Sequence, residues 1–179
     1  SKFSKLEDKL FTARGYRTDP SFLAHYPIVL STTNSLQFCT PRGILFDYVI
    51  IDESSQVNLT SAFIALASAR NAVIVGDSKQ LPHVVPEKLK GPLDAIRNRY
   101  NLPEFIDYRR FSILESVLDK FGNDVPNVLL NEHYRCDPEI IGFCNKRFYD
   151  SKLIIHTQHL PNCGITIIET PSHTAQRRS

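Results

Sequence analysis

Three stretches of this chain carry residue types that do chemistry. Asp52 and Glu53 follow directly on an apolar run (Phe46, Tyr48, Val49, Ile50, Ile51), and Ser54, Ser55 and Gln56 come next. A second apolar run, Ala72 to Val75, ends in Gly76-Asp77-Ser78-Lys79-Gln80-Leu81-Pro82, and a third site of interest is Asn131-Glu132-His133-Tyr134-Arg135. A carboxylate pair at the mouth of a parallel sheet suits nucleoside triphosphate hydrolysis: one acid holds Mg2+, usually through its waters, and the other orients the attacking water. Asp52 would take the metal and Glu53 the water. Taken alone the pair carries little weight, because acidic residues often end strands; the second strand ending raises it. Gln80 has both a donor and an acceptor, able to sense a terminal phosphate and report its loss through a shifted loop. Its plainer role is a surface loop amide. Arg135 offers a planar, always-charged fork for a transferring phosphoryl group, against the plainer surface ion pair. Tyr134 can stack on a nucleobase, against a packing role.

Such groups need elements to hold them. The run ending at Ile51 reads as a parallel strand covered on both faces, and in open α/β sheets the ligand site lies beyond the carboxyl ends of the strands. Leu59, Phe63, Leu66 and Ala67 mark one stripe of a helix within 57–69, so strand, helix and strand make a right-handed parallel crossover. Pro27 to Thr33 reads as a short buried strand ending in hydroxyls, which contact a phosphate backbone or, more commonly, cap a helix. Residues 88–111 interleave Arg97, Arg99, Tyr100, Tyr108, Arg109, Arg110 and Phe111. That pattern grips single strands in some proteins, and a solvated helix face is the commoner explanation. Ser112 is placed to cap a helix through Phe121 that Gly122 stops, and Asp137-Pro138 to open another. Val128 to Leu130 and Ile165 to Ile168 read as strands, and Phe3, Leu6, Leu10 and Phe11 fall at helix-like spacing.

The chain has 179 residues, 42% of them hydrophobic, enough for a globular core, and a net charge of +2 points to neither nucleic acid nor membrane. Cys39, Cys136, Cys144 and Cys163 lack C-x-x-C spacing and a His cluster, which argues against zinc and for a reducing, cytosolic setting. No apolar run approaches the roughly 20 residues of a membrane span. The chain contains no Met, even at position 1, as expected of an excised piece.

DESSQ (52–56), VGDSKQLP (75–82) and EHYRCDPEIIGFCNKRFYDSKL (132–153) resemble motifs II, III and IV of superfamily 1 (1B) DNA and RNA helicases, in the branch typified by the up-frameshift helicase of RNA surveillance. VLSTTNSL (29–36) resembles the threonine-bearing strand before motif II, and the resemblance spans roughly residues 26–170. It implies an α/β, RecA-like parallel sheet flanked by helices, here incomplete. The expected domains are 1–127, the distal part of a first RecA-like domain with 86–111 as a connecting segment, and 128–179, the start of a second. The implied cofactors are ATP and Mg2+, and the implied partner is single-stranded DNA or RNA. The resemblance further implies Asp52 for the metal, Glu53 for the catalytic water, Gln56 and Gln80 for coupling phosphate state to the strand, Tyr134 beside the adenine and Arg135 at the γ-phosphate. His133 stands where the family usually has Gln, Cys136 where it often has Met, and His83 where a second Pro is common. No G-x-x-x-x-G-K-[ST] phosphate loop occurs, and none of the seven glycines is followed by Lys. The expectation is therefore an internal helicase fragment, inactive alone, with a non-catalytic helicase-like scaffold as the rival.

Overall fold

Two parallel strands and one crossing helix position the first acidic pair. In the computed structural model, which describes residues 21–39 and 43–159, the chain divides into two units, Ser1–Val125 and Pro126–Ser179. In the first, β1 (Phe46–Ile51) pairs in parallel with β2 (Ala69–Ile74), with Ile51 level with Ile74 at the carboxyl ends. Helix α3 (Leu59–Leu66) lies between them in sequence, and its start is fixed by Asn58, whose side chain accepts from the Ser61 amide at 3.0 Å. Leu59, Ala62 and Ala65 recur every three residues, so they share one face of α3. With Ile51 and Ile113 they form the buried core, and Val49 and Ile74 pack against it. β2 begins at Ala69, ahead of the expected Ala72, because Arg70 and Asn71 extend the ladder as exposed polar residues that no apolar pattern announces.

Helix α5 (Ile113–Phe121) closes the core. Its capping box is complete: the Ser112 hydroxyl accepts from the Glu115 amide at 3.3 Å, and the Glu115 carboxylate accepts from the Ser112 amide at 2.9 Å. Gly122 ends the helix at φ 54, a conformation a side chain would strain. The starts of α3 and α5 are joined by a bridge between Asn58 and Ser112 and by the Ile113 amide donating to the Val57 carbonyl at 3.0 Å.

Two expectations fail in this unit. The sheet is covered on one face only: Tyr48 and Ile50 are 64% and 67% exposed, because α3 and α5 supply one layer and the described residues supply no second. Residues 27–33 are not a buried strand; Ile28 and Leu30 are 79% and 90% exposed, and no ladder ties them to β1. Single helical turns α1 (Phe22–His25) and α2 (Leu36–Cys39) flank them, and the segment borders a cavity of about 860 Å3 against β1.

The arginine-rich stretch falls on and after α4 (Glu87–Tyr100). Arg97 binds the buried Asp107 carboxylate at 2.8 Å, Arg109 binds Asp94, and Arg110 binds Glu104. Arg109 beside Asp94 holds that carboxyl below its usual range, chiefly by their hydrogen bond. These three arginines serve internal ion pairs, in keeping with the solvated-face reading.

In the second unit β3 (Glu132–His133) pairs in parallel with β4 (Ile154–Ile155), and α6 (Pro138–Phe148) lies between them in sequence. Asp137 caps α6, accepting from the Glu139 amide at 2.9 Å, and Pro138 takes the first turn, where its missing N–H has no intrahelical partner. The buried Asn145 side chain donates to the Leu153 carbonyl and accepts from its amide, both at 3.0 Å, which sets the return into β4. Val128 to Leu130 form no strand and are exposed; the pairing begins two residues later, at Glu132. The expected helix within 1–20, the strand at 165–168 and Cys163 lie outside the described residues. Among the described residues no helix is long and apolar enough to cross a membrane.

Candidate functional site

Because β1 and β2 run parallel and end level, the two loops that follow them emerge side by side. The Val75 amide donates to the Ile51 carbonyl at 2.8 Å, and the Ser54 amide to the Val75 carbonyl at 2.9 Å, so the ladder continues into the loops themselves. Glu53 turns the chain in the left-handed region, at φ 49 and ψ 40, which costs a non-glycine residue on the order of 1 kcal/mol. The turn throws Ser54–Gln56 into a single 3-10 turn and leaves Asp52, Glu53 and Gln56 at the surface. Asp52 Oδ1 accepts from the Glu53 amide at 2.9 Å, which steadies the carboxylate.

Ser54 is fully buried, and a β-carbon on Gly76 would collide with its hydroxyl and come within 3.2 Å of its amide nitrogen. Gly76 is therefore what lets the second loop approach the first. In that loop Asp77 Oδ1 accepts from the Lys79 amide at 2.8 Å, and Gln80 reaches back to Asp77 through its amide at 3.2 Å and its side chain at 3.5 Å. The far end is held by His83, whose amide donates to the Ser55 carbonyl at 3.1 Å. Its ring Nε2 lies 3.0 Å from the Tyr108 carbonyl oxygen, which can only accept, so Nε2 carries the hydrogen. Thus Asp52, Glu53, Gln56 and Gln80 stand on two neighbouring loops at one end of the sheet. Among the described residues no group of three His, Cys, Asp or Glu side chains could hold a metal. One exposed hard-oxygen carboxylate, Asp52, suits Mg2+, which commonly binds through one or two carboxylates, substrate phosphates and water.

Tyr134 and Arg135 stand in the second unit, on the loop after β3. The Cys136 amide donates to His133 Nε2 at 2.7 Å, so that ring nitrogen is the acceptor. Tyr134 is 65% exposed, its hydroxyl donates to Glu132, and that bond raises its pKa above the ordinary value. The loop's far side is pinned by Thr157, whose hydroxyl donates to the Cys136 carbonyl at 2.6 Å. Sequence reasoning missed the partners Gly76, Glu132 and His156. Gly76 carried a signal, a glycine at a strand end; His156 carried none.

A family model described as an AAA domain matches residues 1–88. The chain is 35% identical over 138 residues to an uncharacterized ATP-dependent helicase of Mycoplasma genitalium, a match covering 72% of this chain and 12% of that protein. It is 32% identical over 135 residues to an uncharacterized ATP-dependent helicase of Methanocaldococcus jannaschii, covering 73% of this chain and 17% of the relative. Helicase sen1 of Schizosaccharomyces pombe is 33% identical over 109 residues, 60% of this chain and 6% of its own length. The chain therefore spans a small part of each of these relatives.

Proposed function

The chain belongs to the superfamily 1 ATP-dependent helicases, in the up-frameshift-like branch, and on that premise we propose that it is the segment of such an enzyme that positions the catalytic carboxylates and couples them to single-stranded nucleic acid. The observation that carries this reading is the level ending of β1 and β2, which brings the Asp52–Glu53 turn and the Asp77–Gln80 loop to one rim. The Ser1–Val125 unit is then the distal part of one RecA-like domain, and Pro126–Ser179 the beginning of a second. Asp52 would hold Mg2+, which when bound neutralises charge on the ATP phosphates. Glu53 orients and deprotonates the attacking water; its exposure at the turn leaves the carboxylate accessible to it. Gln80, tethered to Asp77 by bonds at 3.2 and 3.5 Å, sits on a loop that can shift when the terminal phosphate is lost, and Gln56 lies on the neighbouring turn to pass that shift on. Tyr134 takes a face of the adenine and Arg135 the γ-phosphate. The phosphate-cradling G-x-x-x-x-G-K-[ST] loop does not occur in these 179 residues, so this segment alone does not hydrolyse ATP.

The test is nucleic-acid-stimulated ATPase in the full-length protein that carries this segment. Glu53→Gln should lower turnover about 100-fold or more while ATP binding persists. Undiminished turnover would remove Glu53 from its role, and steady ATPase from the 179-residue segment alone would refute the argument from the missing loop.

A further inference from the structure

The ring of Tyr134 has two faces, and one is already taken. His156, just beyond β4, stacks on it with ring centroids 4.6 Å apart and planes 6° from parallel. The backbone enforces this: the His156 amide donates to the His133 carbonyl at 2.9 Å, which carries the β3–β4 ladder one step further and sets the histidine beside the tyrosine. The Tyr134 hydroxyl is tied to Glu132, and His156 Nε2 lies 3.9 Å from the same carboxylate. Tyr134 is therefore fixed at its face and at its tip, yet it remains well exposed. An exposed aromatic ring normally loses rotamer freedom when a ligand stacks on it, and here that freedom is already restricted.

We propose that His156 is a positioning residue for nucleobase recognition: it backs Tyr134 and, with Glu132, presents a single prepared ring face to a purine base. This rests on the assignment of Tyr134 to the base. The platform acts on the base and not on the phosphates, which are the business of other residues. An aromatic stack contributes on the order of 0.5–1.5 kcal/mol, so removing the backing ring should weaken base binding by about 3- to 10-fold.

The experiment measures binding of a fluorescent adenine nucleotide and of inorganic tripolyphosphate, together with KM and kcat for ATP, in the full-length protein and its His156→Ala, His156→Phe and Tyr134→Ala variants. His156→Ala should raise the adenine-nucleotide Kd and the KM about 3- to 10-fold, with kcat within about twofold and tripolyphosphate binding unchanged. His156→Phe, which keeps a flat ring, should stay within about twofold of the parent. If Tyr134→Ala weakens the nucleotide and His156→Ala does not, the backing role is refuted and the base assignment stands. An unchanged Kd in Tyr134→Ala refutes both. Equal loss of nucleotide and tripolyphosphate in His156→Ala, or a His156→Phe protein as weak as His156→Ala, marks general damage and overturns the proposal. Should His156→Ala fail to fold, His156→Gln reads the same quantities.

Discussion

A tyrosine whose hydroxyl is given to a carboxylate resists ionisation, because losing the proton breaks the bond and sets two negative charges together. Tyr134 accordingly titrates above its ordinary value, the hydrogen bond to Glu132 being the larger cause and burial the next. A raised pKa favours the neutral form in the folded state, so whatever stability the pair adds is fully present below about pH 10 and fades as pH climbs through the raised value. Glu132→Gln should bring the Tyr134 titration back toward the ordinary tyrosine range, read residue by residue by NMR on labelled tyrosine. No change in that titration would show the carboxylate to be irrelevant. The same pair shows how far single residues were legible. Tyr134 and Arg135 stood out by type and neighbourhood, as did Asp52 and Glu53. His156 was invisible as a partner, because contacts between neighbouring parallel strands follow from register, and residue spacing along the chain does not encode it; Glu132 stands only two residues from Tyr134, so its bond is a local one.

Elements bounded by caps were read from the sequence, as was β1 from its apolar run, whereas two other apolar runs misled. Ser112, Gly122 and the Asp137-Pro138 pair mark helix ends by local hydrogen bonding and backbone preference, and α5 and α6 begin where those residues put them. The apolar runs at 27–33 and 128–130 promised strands, yet a strand exists only with a partner, and neither run finds one among the described residues. Where strands do pair, a small residue decides how closely their loops approach. Gly76→Ala drives a methyl group against the Ser54 hydroxyl and within 3.2 Å of Leu114 Cδ2, with the Ser54 backbone equally near. Overpacking of this kind costs about 1–3 kcal/mol, so chemical denaturation should show a lower midpoint, partly restored by Ser54→Gly. A midpoint equal to the parent's would mean the two loops have room to separate.

Among the described residues of the Ser1–Val125 unit the apolar surface exceeds what the helix layer covers. One face of the sheet packs on α3 and α5, while Tyr48, Ile50 and Val73 lie bare on the other, although parallel sheets are ordinarily covered on both. A contiguous bare face is a surface for association. The segment alone should bind a hydrophobic dye and grow in apparent mass with concentration, and Tyr48→Lys with Ile50→Glu should reduce both; a monomer without dye binding at all concentrations would show the face to be covered by residues beyond those described. The paired starts of α3 and α5 have another effect. The Asn58–Ser112 bridge closes roughly fifty residues of chain, from α3 through β2 to α4 and the turns after it, into a ring. Both the Asp77–Gln80 loop and α4 lie on this ring. Loop-closure entropy grows only with the logarithm of length, about 0.6 kcal/mol per doubling, so extra chain inserted beyond His83 should cost the closure of this ring little. The fold thus carries, next to its most constrained loop, a place where new sequence can be tried at little risk to the chemistry.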